Sequence, residues 1–241
     1  MKDFKKFFQY SFAPCKLHFC GTTNKSSYEL IEDYLDGKDV DLIKLEEVAN
    51  TFIGVIPYLK LIADRNNLEV FDTKVIEAYW LGNMLLKKVK VSDLKEVILK
   101  EFQGENKLNY EQAKKLADNI PDNMVVHHSF HVMYVGSVTH TIKIVGKLID
   151  LCRISWGEVR ELKEDSLIVK YLPVIADGGE VRLSEEEIIK EIKWDKRLIK
   201  EIARDNIVTF HWDTVCDVIT KVQSRNIEKF TINNIKALKN V

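Results

Sequence analysis

Arg153-Ile154-Ser155-Trp156-Gly157-Glu158-Val159-Arg160-Glu161-Leu162 and Ser166-Leu167-Ile168-Val169-Lys170-Tyr171-Leu172-Pro173 read as two strands. The polar Lys163-Glu164-Asp165 between them reads as a hairpin turn. Downstream, Asp177-Gly178-Gly179 marks a second turn, and Glu180–Leu183 follows as a short strand. This β unit, about residues 152–183, decides the fold class, because the sequence on both sides of it follows helical spacing.

On the N-terminal side, residues 1–24 form an aromatic lead-in ending in Gly21-Thr22-Thr23-Asn24. Ser26 or Ser27 caps a helix through about Tyr34. From Leu42 to Ala63 the apolar residues recur at helical intervals, and Gly54 and Pro57 split the run into two helices. Asp72-Thr73 starts the next helix, with Val75, Ala78, Tyr79 and Leu81 inward. Ser92 caps Leu94–Phe102, and Asn109–Ile120 stops at Pro121. Val125–Val135 then reads as a buried strand, with a helix as the alternative for so short an apolar run. Thr139–Cys152 is an amphipathic helix. Beyond the β unit, helical patterns cover Ser184–Trp194, Lys196–Arg204, Thr209–Val222 and Thr231–Asn240. The expected fold is α+β: a mostly helical region 1–123, and an α+β region 124–241 whose small antiparallel unit precedes C-terminal helices. The two regions are expected to form one integrated domain.

A chain of 241 residues is long enough for a sizeable core. A net charge of −1 offers no general attraction to nucleic acid or to an anionic membrane. Four cysteines are too few for a disulfide framework at this length. No apolar run reaches the roughly 18 residues of a membrane span. The N-terminus starts like a signal peptide, but Gln9, Tyr10 and Ser11 interrupt its apolar run. Pro14 directly before Cys15 makes a poor lipoprotein site. These features predict a cytoplasmic protein with reduced thiols. No Walker loop, dinucleotide fingerprint or nucleophile elbow is present.

The chemistry concentrates in two segments. His127-His128-Ser129-Phe130-His131 holds three of the six histidines. His127 and His131 share a face on either a helix or a strand, and His128 meets His131 only on a helix. Two imidazoles on one side make a pair of metal ligands or an acid–base pair, and a metal needs further ligands from elsewhere. His211-Trp212-Asp213, with Cys216, is the second cluster. If a helix starts near Trp212, its dipole holds His211 neutral at the N-cap, and Asp213 is placed to orient a histidine. Cys15, His18 and Cys20 have zinc-compatible side chains, but their spacing matches no zinc ribbon, so they read as partly buried thiols.

Cys152-Arg153-Ile154-Ser155-Trp156-Gly157-Glu158-Val159 has the pattern C-x4-G-x-V and resembles the start of the nickel–iron hydrogenase maturation chaperones of the HypC/HupF family. That resemblance implies a small β-barrel in which Cys152 carries an iron fragment and contacts a hydrogenase subunit, with Gly157 letting the strand bend. In that family the Cys follows the initiator Met; here it is internal, and Trp156 stands where the family has Pro. The whole chain also resembles an uncharacterised bacterial and archaeal domain family. Phe12-Ala13-Pro14, Phe19-Cys20-Gly21, His127–Val132, Cys152–Gly157 and His211–Asp217 carry that likeness. The leading expectation is an accessory protein that handles a transition metal (iron, nickel or zinc) or a metallocofactor for a metalloenzyme subunit. His127, His131, His211 and Cys20 are its candidate ligands, and Cys152 its cofactor-binding residue. The rival is a metal-free enzyme with His131 or His211 as general base, Asp213 as orienter and Cys216 or Cys152 as nucleophile. A third reading is a protein-interaction scaffold.

Overall fold

The aromatic lead-in becomes helix α1 (Phe4–Lys16), capped by Asp3, whose side chain accepts from Lys6 N. Phe7, Phe8 and Tyr10 are fully buried, because α1 runs through the molecule between the helical half and the barrel. The computed structural model describes residues 2–136, 138 and 142–239. Around α1 stand α2 (Lys25–Leu35), α3 (Leu42–Ala49), α4 (Ile56–Asn66), α5 (Thr73–Trp80), α6 (Val91–Glu101) and α7 (Tyr110–Asp118). The sequence signals operate as local chemistry dictates. Asp72 accepts from Lys74 N, Asn109 and Gln112 form a reciprocal capping box, and Pro57 sits at the start of α4.

After Asn123 the expected strand does not form. Val125 has no neighbouring strand; the Asn234 side chain accepts from its N–H and donates to its carbonyl instead. His127 then caps a short turn, α8 (His128–Phe130), which runs into a π-turn at His131–Val135. Of the helix expected over 139–152, residues 139–141 lie outside the described residues, and the helix found is α9 (Lys147–Cys152).

The β unit is larger than the sequence predicts. Strands β1 (Ser155–Leu162), β2 (Ser166–Tyr171), β5 (Ile188–Lys193), β6 (Ile207–His211) and β7 (Thr214–Ile219) close a barrel in the order β1-β2-β5-β7-β6. β3 (Val174–Asp177) and β4 (Glu180–Leu183) form a separate hairpin, with Gly178 and Gly179 both at positive φ as its turn requires. The helices expected over 184–194 and 209–222 are therefore strands, residues 196–204 are turns, and one helix, α10 (Lys221–Leu238), closes the described chain. β5 is rich in Lys, Glu and Ile, and Ile188 and Ile189 are exposed, so its pattern suits a helix locally. Pairing with β2 overrides that preference. The fold is α+β. One cluster of buried side chains runs from Phe4 through the helices to Val215 in the barrel. Among the described residues, no helix is long and apolar enough to cross a membrane.

Gly157 has a packing role. It faces Tyr171 across β1–β2, and a Cβ there would lie 2.7 Å from the Lys170 carbonyl oxygen and 2.8 Å from Tyr171 Cβ. Backbone cannot yield cheaply, so Gly157→Ala is expected to destabilise the protein by about 1–3 kcal/mol. A urea midpoint equal to wild type would refute the close approach.

A candidate metal centre

Three elements converge at one end of the barrel. His128 begins α8, Cys152 ends α9 and His211 ends β6, and their ligating atoms all lie within 4.8 Å of one another. His211 is fixed from behind, since its Nδ1 lies 2.8 Å from the Tyr10 carbonyl oxygen. A carbonyl only accepts, so the proton sits on Nδ1 and the lone pair on Nε2. That Nε2 is buried and has no hydrogen-bond partner. His128 Nε2 donates to the Cys152 carbonyl at 2.9 Å, and its Nδ1 lies 3.1 Å from the Tyr79 hydroxyl, which itself donates to the Gly54 carbonyl. The Trp80 ring covers both imidazoles, 4.5 Å from His128 and 5.9 Å from His211 between centroids.

Burial sets the protonation. It pushes His211 and His131 down to about 4 and His128 well below its ordinary value. It pushes the thiols up, Cys20 to about 11 and Cys152 to about 12. At neutral pH the site therefore holds uncharged imidazoles and protonated thiols. Both are one step from ligands: the imidazoles need lose nothing, and a thiol must lose one proton.

These groups floor a cavity of about 350 Å³. His131 and Cys20 line it beside the trio. His131 Nδ1 lies 3.0 Å from the Tyr58 hydroxyl, and its ring stacks on His128 at 6.2 Å. Gly54 leaves the space for both residues. The Cβ it lacks would lie 3.1 Å from His131 Nε2 and 3.5 Å from Cys20 Sγ. His18, at positive φ just past α1, lies at the mouth.

The fold thus brings His131, His211, Cys152 and Cys20 together, and leaves other candidates outside. His127 Nδ1 accepts from Ser129 N and its ring stacks on Phe230, so it caps a turn away from the cavity. The Asp213 carboxylate pairs with Lys190 and does not orient His211. Trp212 and Asp213 are the two left-handed residues of the β6–β7 turn, so no helix dipole acts on His211; burial lowers its pKa instead. Cys216 is buried in the barrel with its thiol toward the Thr214 carbonyl, and the Cys15 thiol points to the Thr22 carbonyl. His128 is the cavity residue that the pairing of 127 with 131 passes over. Its signal is the i,i+3 relation to His131, which the helical turn makes real.

These features define an α+β protein in which a helical half and a small β-barrel enclose a buried histidine–cysteine cleft. The chain belongs to the Family of unknown function (DUF6390), which matches residues 2–241. No curated protein and no solved structure matches it.

Proposed function

We propose that the protein is a metal-handling protein that binds one transition-metal ion through His128, Cys152 and His211. The observation that carries this reading is the buried, unpartnered His211 Nε2, set within 4.8 Å of one further imidazole and one thiol. A buried acceptor without a partner is rare and asks for an explanation. Two nitrogens and one sulfur suit zinc, iron or nickel, and the lack of a carboxylate disfavours magnesium or calcium. Three protein ligands below a cavity leave a coordination position open. Second-sphere support is in place: the Tyr10 carbonyl holds His211 Nδ1–H, and the Tyr79 hydroxyl stands where it can accept from His128 Nδ1 once Nε2 turns to an ion. The C-x4-G-x-V segment that starts at Cys152 favours delivery of the ion or its cofactor to a metalloenzyme subunit. A metal-free acid–base enzyme is less supported, because Asp213 turns away and the thiols are raised, the opposite of an activated nucleophile.

The test is elemental analysis of untagged protein together with cobalt titration. Stoichiometric metal in the wild type, with sulfur-to-cobalt charge-transfer absorption lost in Cys152→Ser and binding weakened at least about a hundredfold in His128→Ala/His211→Ala, is the expected result. Native protein without metal that also fails to bind cobalt stoichiometrically would end the reading.

A pH series adds a sharper expectation. His211 holds no proton at its ligating nitrogen above about pH 5, whereas the Cys152 thiol stays protonated up to about 12. Binding should release one proton, so the affinity should rise about tenfold per pH unit from about pH 6 to 8. A slope of zero would remove Cys152 from the ligand set, and a slope of two would add Cys20.

A further inference from the structure

We infer that the cavity over the His128–Cys152–His211 cluster is a binding site for a small uncharged molecule with an apolar body and one hydroxyl group. This inference concerns the metal-free protein: it shares His211 Nε2 with the metal reading, but it rests on the cavity wall and does not require that an ion binds. The volume, about 350 Å³, lies at the small end of ligand sites of ~300–1,000 Å³. Much of the wall is aromatic and aliphatic: Phe19 packs on Trp212 at 4.5 Å, and Trp80, Ile53, Val138 and Ile144 also line it, beside the uncharged polar side chains of Ser11, Thr23 and Asn106. Among the described lining residues there is no Lys, Arg, Asp or Glu. The one charge in the adjoining segment, Lys143, is exposed, while its neighbours Ile142 and Ile144 face the cavity. An ionised ligand would lose its hydration here and meet no counter-charge, which is strongly unfavourable.

Three polar atoms of the lining residues are buried without hydrogen-bond partners: His211 Nε2, an acceptor, and the Nε1–H donors of Trp80 and Trp212. The Cys152 thiol beside Trp212 is only a weak acceptor. A hydroxyl donates one hydrogen bond and accepts others, so its chemistry matches an acceptor beside indole donors. Trp212 is also held at φ +49°, a conformation that bulky aromatic residues rarely adopt. Such strain persists where surrounding structure imposes it, and here it places the indole in the cavity wall.

An isosteric series tests the proposal on metal-free, chelator-treated protein: benzyl alcohol, toluene, benzoate and benzylammonium. Binding is read by tryptophan fluorescence and by methyl NMR shifts of Ile53, Val138, Ile142 and Ile144. Benzyl alcohol should saturate the protein at least tenfold more tightly than either charged isostere, and more tightly than toluene, with shifts centred on those methyls. Ile144→Trp, which puts an indole into the cavity, should abolish binding while the circular dichroism stays native. If that variant misfolds, the methyl shifts alone locate the site. Equal or tighter binding of benzoate or benzylammonium, no preference over toluene, no saturable binding, or shifts elsewhere would overturn the inference. Failure of the metal reading appears separately, as absent cobalt binding.

Discussion

Taking the metal-free protein from pH 7 to pH 5 is expected to destabilise it strongly. His127, His128 and His211 are buried, and burial depresses their pKa values: His127 to about 3, His211 to about 4 and His128 well below its ordinary value. In the unfolded chain each titrates near ~6.5. Below that pH the unfolded chain binds protons that the folded protein refuses, so stability rises with pH. The stability from neutral burial is complete above about pH 6.5 and is lost progressively as the pH falls toward the folded values. At pH 5 each histidine removes about 2 kcal/mol, and three remove roughly 6 kcal/mol. That is comparable to the whole stability of a typical domain, ~5–15 kcal/mol. Urea unfolding at several pH values should give a slope of about 4–5 kcal/mol per pH unit below pH 6, the upper figure with His131, which burial also lowers to about 4. A flat profile between pH 7 and 5 would contradict the buried, neutral assignment. His127→Gln should reduce the slope by one histidine's share without touching the cavity. A bound metal should move the transition to lower pH, because its ligands compete with protons.

Asp150→Ala is expected to be the most damaging single substitution near the site. Asp150 accepts from Arg153 Nε at 2.9 Å, from the Tyr171 hydroxyl at 2.8 Å and from the Val174 N–H at 2.7 Å. It thereby ties α9 to β2 and β3. The Arg153 guanidinium is 1% exposed, and its remaining partners are carbonyls such as that of Leu172. Without Asp150 a buried cation loses its counter-charge, a change of about 3–5 kcal/mol. The urea midpoint should fall with an unchanged slope. Adding Arg153→Met to Asp150→Ala should recover much of the loss, because the unpaired charge goes as well. α9 also carries Cys152, so Asp150→Ala should weaken cobalt binding at least tenfold under conditions where the protein is still folded. Loss of less than about 1 kcal/mol would show that water reaches the guanidinium and that the ion pair is a surface one.

How much of this could be read from the chain follows the range of the forces involved. Asp72, Asn109 and Pro57 act within one helical turn, and each marks the helix start that the sequence predicts. The Ser155–Tyr171 hairpin and the Gly178-Gly179 turn are likewise local, and together with the helical half they establish α+β. The concentration of histidines and cysteines pointed to His127, His131, His211, Cys152 and Cys20, of which all but His127 line the cavity.

What the sequence by itself determined, then, was the helical half, the first hairpins and the residue types of the site. Tertiary structure decided the rest. β5 carries a pattern equally suited to a helix, and pairing, chiefly along β2, makes it a strand. The Trp212-Asp213 turn has no glycine to announce it and is imposed by the pairing of β6 with β7. His128 faces the cavity, not His127, because Ser129 and Phe230 claim His127 while Trp80 and the Cys152 carbonyl receive His128. Ser129 is local to His127, but Phe230, Trp80 and Cys152 lie tens of residues away along the chain. Periodicity describes which side chains share a face, but only long-range packing chooses what that face meets.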